Sequence, residues 1–96
     1  MGACEFFTSA TGDTAKNAFM AAAEAARYES GHGGYTGTIA EKYQFVMIDL
    51  PKGKDPWQFA DELMEASDPR IENKWGPAGC IKVRTGMYLF FGWASS

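Results

Sequence analysis

Hydrophobic positions recur along the chain at two different spacings, one typical of helices and one typical of strands. After Asp13, a plausible N-cap, apolar residues recur at i, i+3, i+4 and i+7, which predicts an amphipathic helix. The members of this face are Ala15, Ala18, Phe19, Ala22, Ala23 and Ala26. Because alanine dominates the face, the helix can lie close against a sheet. Gly31 is the predicted residue just beyond its C-terminus.

A second helix is predicted from the sequence Asp55-Pro56-Trp57-Gln58, in which Asp55 is the N-cap and Pro56 takes the first helical position. Its apolar face comprises Phe59, Ala60, Leu63 and Met64. Its acidic residues Asp61, Glu62 and Glu65 fall on the solvated side. The helix is expected to end before Asp68-Pro69, since a residue preceding proline disfavours helical dihedrals.

Four stretches are rich in aromatic and β-branched residues and predict strands, at residues 4–8, 43–50, 79–84 and 87–93. Residues 43–50 are apolar on both faces, which predicts a central position in the sheet or a face covered by a neighbouring loop. The last stretch is almost continuously hydrophobic and is expected in the sheet interior. A turn at Thr85-Gly86 joins it to the preceding strand.

These elements follow one another in the order βαβαββ. The predicted fold class is α+β, a two-layer sandwich whose mixed or antiparallel four-stranded sheet carries both helices on one face. With 96 residues the chain is predicted to form a single domain, residues 1–96.

Composition and charge narrow the classes of function. The net charge of −3 and the sequence pI near 5.0 argue against bulk binding to a phosphate backbone. No signal-peptide pattern is present, and the longest uncharged apolar run, 87–94, is too short to cross a bilayer. The prediction is a cytoplasmic protein with no membrane association. Cys4 and Cys80 lie within apolar runs, as buried free thiols do.

The segment 31–42, GHGGYTGTIAEK, is unlike the rest of the chain because it combines four glycines with the only histidine. Glycine lets the backbone approach another molecule closely, and threonine and tyrosine hydroxyls can orient that molecule. The segment is also longer than an ordinary connection. It is therefore the predicted recognition site, and Arg84 is added as a candidate cation from the third predicted strand. The predicted ligand- or partner-binding residues are His32, Gly33, Gly34, Tyr35, Thr36, Thr38, Lys42 and Arg84.

Known catalytic and cofactor motifs do not fit this segment. It has neither the P-loop ending nor the dinucleotide fingerprint, and it leaves a helix where those motifs begin one. A single histidine and two cysteines 76 residues apart do not form a zinc pattern. Ser30, Thr36 and Cys4 lack the surroundings of a catalytic nucleophile. The sequence therefore predicts no catalytic residue, no metal and no cofactor.

Three stretches carry a resemblance to known sequences. Residues 28–42, together with 74–80 and the C-terminal YLFFGWASS, resemble a pattern in small uncharacterised proteins of tailed bacteriophages. The resemblance covers about a third of the chain. It implies a phage protein that acts in the cytoplasm of its bacterial host, and it supplies no activity and no site residue.

The resulting hypothesis is a small non-enzymatic phage accessory domain, of the host-takeover or anti-defence type. It would engage a host protein or sequester a small anionic ligand, for which a nucleotide-like molecule is one candidate, through segment 31–42. One alternative is an enzyme acting on a nucleotide or nucleic acid, with His32 as acid or base and Lys42 or Arg84 on phosphate. Another is a structural or oligomerising module that pairs an edge strand or uses Trp57 and Trp75. The chain is expected to be a monomer or a small homo-oligomer.

Overall fold

A computed structural model describes residues 2–30 and 36–95 of the chain. The helices and strands in chain order are β1 (Ala3–Thr11), α1 (Ala15–Ser30), a short 3-10 helix (Ile39–Glu41), β2 (Phe45–Met47), α2 (Pro56–Glu65), β3 (Ala78–Arg84) and β4 (Met87–Ser95).

The four strands form one mixed sheet in the order β1-β4-β3-β2. β4 lies between β1 and β3 and is antiparallel to both, while β2 pairs with β3 in parallel. The predicted α+β class, with two helices on a four-stranded sheet in the order βαβαββ, is confirmed. The interior position predicted for the last strand is also confirmed.

The two helices pack on opposite faces of the sheet, which corrects the expected two-layer arrangement with both helices on one face. Ala18 and Phe19 of α1 belong to a buried cluster that contains Phe90 of β4. Ala60 and Met64 of α2 belong to another buried cluster, on the other side of the sheet. That cluster contains Leu89 and Phe91 of β4. Because successive side chains of a strand point to opposite faces, the three layers are α1, the sheet and α2.

The topology explains this difference from the prediction. β1 and β3 are both antiparallel to β4, so they run in the same direction as each other. β2 runs in that direction too, because it pairs with β3 in parallel. The connection through α1 crosses from one edge of the sheet to the other, and the connection through α2 returns by one strand. Crossovers of the same hand that travel in opposite directions must place their helices on opposite faces.

β2 is a three-residue edge strand, although the predicted strand was longer and its apolar pattern indicated either a central position or a face covered by a loop. Phe45 packs against the α1 cluster, and Val46 and Ile48 pack against the α2 cluster. Beyond Met47, the N–H of Ile48 still donates to the carbonyl of Cys80 at 2.9 Å. The apolar residues on both faces of β2 therefore reflect burial on both sides of the sheet. An edge strand can be buried in this way because α1 covers one face and α2 covers the other.

The helix starts follow the sequence closely. Asp55 caps α2 by accepting a hydrogen bond from the Gln58 N–H at 2.9 Å, as predicted. At α1 the cap is Thr14 and not Asp13, since the Thr14 hydroxyl accepts from the Asn17 N–H at 3.1 Å. Gly31, the predicted end of α1, lies outside the described residues.

Candidate recognition surface

The described part of the predicted recognition segment, residues 36–42, is held together by its own polar groups. The N–H and hydroxyl of Thr36 both contact Glu41 Oε2, at 3.1 and 3.0 Å. The Thr38 hydroxyl caps the 3-10 helix by accepting from the Ala40 N–H at 3.2 Å. Gly37 has a φ of 69°, a left-handed conformation that glycine adopts without strain. The hydroxyls of Thr36 and Thr38 therefore have local partners in this structure.

Four of the predicted contact residues, His32, Gly33, Gly34 and Tyr35, lie outside the described residues. The structure does not bring Arg84 close to residues 36–42. Residues 42–44 adjoin the start of β3, where the Ala78 N–H donates to the Gln44 carbonyl. Arg84 lies at the other end of β3, about 20 Å away at the rise of a strand.

Lys42 is buried, with 1% of its surface exposed, where the sequence analysis expected a surface contact. Its ammonium group donates to three main-chain carbonyls, those of Lys74 at 3.0 Å, Gly76 at 2.9 Å and Asn73 at 3.4 Å. Burial lowers the pKa of Lys42 to about 8. The side chain thus ties the end of the recognition segment to the turn at residues 73–76.

Two exposed aromatic rings lie on these two tied segments. Tyr43 is 84% exposed and Trp75 is 63% exposed. Both line one cleft of about 230 Å³, together with Gln44, Gly76 and Pro77. Each ring has a cation over its face: the Arg27 guanidinium lies 5.6 Å from the Tyr43 centroid, and Lys74 Nζ lies 5.3 Å from the Trp75 ring.

Tyr43 also borders a second groove, of about 490 Å³, on its α1 side. Met20, which is 56% exposed, lines this groove with Lys16 and Phe45. The Arg27 side chain donates to the Lys42 carbonyl at 3.4 Å and so joins α1 to the same region. We call the whole region the Tyr43 surface and define it as Lys16, Met20, Arg27, Tyr43, Gln44, Trp75 and Pro77.

Sequence reasoning named Trp75 as a candidate interface residue but assigned no such role to Met20 or Tyr43. Met20 carried a usable signal, because it is a large apolar residue outside the i, i+3, i+4 face of α1. Tyr43 was placed within a strand, and no local pattern brings it next to a residue 32 positions further along the chain.

The titratable and metal-ligating side chains of the described residues bear on the sequence predictions. Within residues 2–30 and 36–95, no three His, Cys, Asp or Glu side chains come together as a group that could hold a metal ion. The Cys80 thiol is buried, as predicted, and burial raises its pKa to about 12, which suppresses the thiolate. Cys4 is exposed, contrary to the prediction, because it lies near the start of an edge strand.

None of the helices within residues 2–30 and 36–95 has the length and continuous hydrophobicity required to span a bilayer. Comparison with protein-family models, with curated proteins and with solved structures finds no match to this chain, so the resemblance to bacteriophage proteins stays a prediction.

Proposed function

We propose that this chain is a non-enzymatic binding domain that engages a partner protein through the Tyr43 surface. The observation that carries the proposal is the cleft shared by two strongly exposed aromatic rings, Tyr43 and Trp75, with exposed Met20 beside it. Tyrosine, tryptophan and methionine are enriched in protein interfaces, where tyrosine and tryptophan supply much of the binding free energy.

The surface is also rigidly supported. Lys42 fixes the two chain segments that carry the rings, through three hydrogen bonds from one ammonium group. A contact surface held in place before binding loses less conformational entropy when the partner arrives. The cleft of about 230 Å³ and the groove of about 490 Å³ share Tyr43 and Gln44, so together they form one extended surface. An extended surface that is held in place favours a polypeptide partner, whereas a small ligand is usually buried in a single concave pocket.

The charged side chains around the Tyr43 surface indicate the charge that a partner should have. The charged side chains at the rim are Lys16, Arg27 and Lys74, with Glu24 as the nearby anion. The rim is therefore locally cationic on a chain whose net charge is −3. A matching segment has an apolar or aromatic side chain for the cleft and acidic residues flanking it. The resemblance to phage proteins would make this partner a protein of the bacterial host cytoplasm.

The proposal can be tested with peptides selected on the wild-type protein from a displayed library of random 12-residue sequences. Selected peptides are expected to combine an aromatic or apolar residue with acidic neighbours. Tyr43→Ala or Trp75→Ala should weaken their binding at least about tenfold, measured as Kd by calorimetry. Tyr28→Ala and Trp57→Ala are matched controls, because these rings are also exposed but do not line the cleft.

Equal affinity of the four alanine variants for the selected peptides would contradict the proposal, and so would a library that yields no binder. If the protein bound a single-stranded oligonucleotide of 12 residues more tightly than any peptide, the cationic rim would instead be a binding site for nucleic acid. The Gly34→Val, Tyr35→Ala double variant extends the test to the glycine-rich segment. If this variant is folded and binds the selected peptides more weakly, residues 33–36 belong to the contact surface.

A further inference from the structure

β1 presents a long strand edge that no other described strand covers. It pairs with β4 through nine consecutive residues, without a register shift. On its other side, no strand within residues 2–30 and 36–95 pairs with it, because it is the first strand of the sheet order. Its sequence, ACEFFTSAT, contains one charged residue and no proline.

Proteins usually protect such an edge with lysine, proline, a bulge or a short strand, because unpaired N–H and C=O groups attract another strand. The opposite edge of this sheet is protected in that way, since β2 has only three residues. Apart from the single charge of Glu5, β1 has none of these devices, and it extends for about 30 Å.

The sequence of β1 is complementary to itself in the antiparallel direction. A twofold axis at Phe7 places Glu5 opposite Ser9 of a second copy, and Cys4 opposite Ala10 of that copy. The single charge of the strand then faces a neutral hydroxyl and no like charge. A register centred on Glu5 would instead place two carboxylates face to face, which is unfavourable.

Phe7 gives this register an apolar centre. Its ring is 39% exposed on the α2 side of the sheet and is stacked on Phe91, with 6.5 Å between centroids and 8° between planes. Pairing around Phe7 would set it beside its own symmetry mate and extend the aromatic row across the two sheets. Cross-strand aromatic pairs of this kind stabilise a sheet.

The α1 side of the edge leaves room for a second sheet. A groove of about 480 Å³ lies between β1 and α1. Its walls carry mainly small side chains, among them Thr8, Ala10, Ala21 and Ala25. The larger side chains that line it are Glu29 of α1 and Ile39 of the 3-10 helix.

We propose that two copies of this chain associate through β1, in antiparallel pairing centred on Phe7, to form a continuous eight-stranded sheet. The inference is independent of the function proposed for the Tyr43 surface, because that surface lies at the β2 edge, on the opposite side of the sheet.

Sedimentation equilibrium over a concentration series tests the association. Wild-type protein should show a monomer–dimer equilibrium, and Phe7→Lys should be monomeric because it places two ammonium groups at the centre of the pairing. Met47→Lys is the matched control, since Met47 is a 49% exposed apolar residue of the other edge strand, and it should dimerise like the wild type. A wild-type protein that stays monomeric up to millimolar concentration, or equal dimerisation of both variants, would overturn the proposal.

Disulfide crosslinking tests the register and covers the case in which Phe7→Lys does not fold. The thiol at position 10 of Ala10→Cys would lie opposite Cys4 of the other copy, so mild oxidation should give a covalent dimer. Thr8→Cys carries a thiol on the same face but two residues out of register, and it should crosslink far less. In the wild type, two Cys4 residues would be about 20 Å apart and should not crosslink. Equal crosslinking of the two cysteine variants would overturn the pairing centred on Phe7.

Discussion

Lys42 connects two chain segments that are more than 30 residues apart. Its main-chain carbonyl accepts from Arg27, and its ammonium group donates to carbonyls at 73, 74 and 76. A buried ammonium is tolerated only when acceptors replace its lost hydration, and three carbonyls match its three N–H donors. The side chain therefore organises the base of the Tyr43 surface without forming part of its exposed area.

Lys42→Met keeps an unbranched side chain of similar length but leaves these carbonyls without their donor. We expect a loss of about 1–3 kcal/mol in the free energy of unfolding, measured by urea denaturation. Lys54→Met is the control, because Lys54 makes an exposed ion pair with Glu62 and should change stability by less than about 0.5 kcal/mol. Two equally stable variants would mean that the Lys42 hydrogen bonds add nothing to stability.

The pH dependence of stability offers a second test of Lys42. Its pKa is lowered by burial from 10.5 to about 8, so between these values the unfolded chain binds more protons than the folded one. The free energy of unfolding must therefore rise with pH across this window. The stability difference between wild type and Lys42→Met should grow in favour of the wild type from pH 8 to 10.5. A constant or shrinking difference in urea denaturation would contradict the shift.

At the scale of elements, the sequence predicted each helix and strand better than their arrangement. The capping motif at Asp55-Pro56 and the alternation around Ile81 are local, and both elements formed as expected. The edge position of β2 and the opposite faces of the helices depend on which strands pair and on the direction of each crossover. Those are long-range properties, and no spacing within one segment encodes them.

Gly79 of β3 allows a close approach of Phe91 and Ile71, two members of the buried cluster on the α2 side of the sheet. A Cβ placed there would lie 2.6 Å from Phe91 Cζ and 3.0 Å from Ile71 Cγ2, and both distances are shorter than ordinary van der Waals contacts. Gly79→Ala should therefore destabilise the fold by about 1–3 kcal/mol, measured by thermal and urea unfolding. Lys82→Ala, at an exposed position of the same strand, should change stability by less than about 0.5 kcal/mol. If Gly79→Ala were as stable as the wild type, the Phe91 ring would have to move aside without a loss in the free energy of unfolding.

At the scale of the whole molecule, the candidate surface was only partly visible in the sequence. Segment 31–42 and Trp75 were singled out by composition, and the structure places the end of that segment beside Trp75. Tyr43 and Met20 were missed, and the inward position of Lys42 was not foreseen. The roles of Tyr43 and Lys42 depend on contacts between segments distant in sequence, which local periodicity does not report. The exposure of Met20, in contrast, follows from its place outside the apolar face of α1.

The two cysteines report on opening of the whole fold. Cys4 is exposed, whereas Cys80 is fully buried between β4 and β2 and has its pKa raised by burial to about 12. A thiol reagent should modify one thiol rapidly and the second only as fast as the protein unfolds, measured by mass spectrometry. Cys4→Ser should remove the fast phase alone. Equal rates for both thiols would mean that the centre of the sheet opens locally.

The central position of β4 has a consequence for protein synthesis. β4 occupies residues 87–95, yet it supplies the hydrogen-bonded neighbours of both β1 and β3. A ribosome therefore completes β1, α1, β2, α2 and β3 before the strand that joins β1 to the rest exists. Until then β1 has neither edge paired, and the nascent chain cannot close its sheet. Folding must wait for the emergence of these late residues, and chaperones that bind exposed strands have their opportunity during that interval.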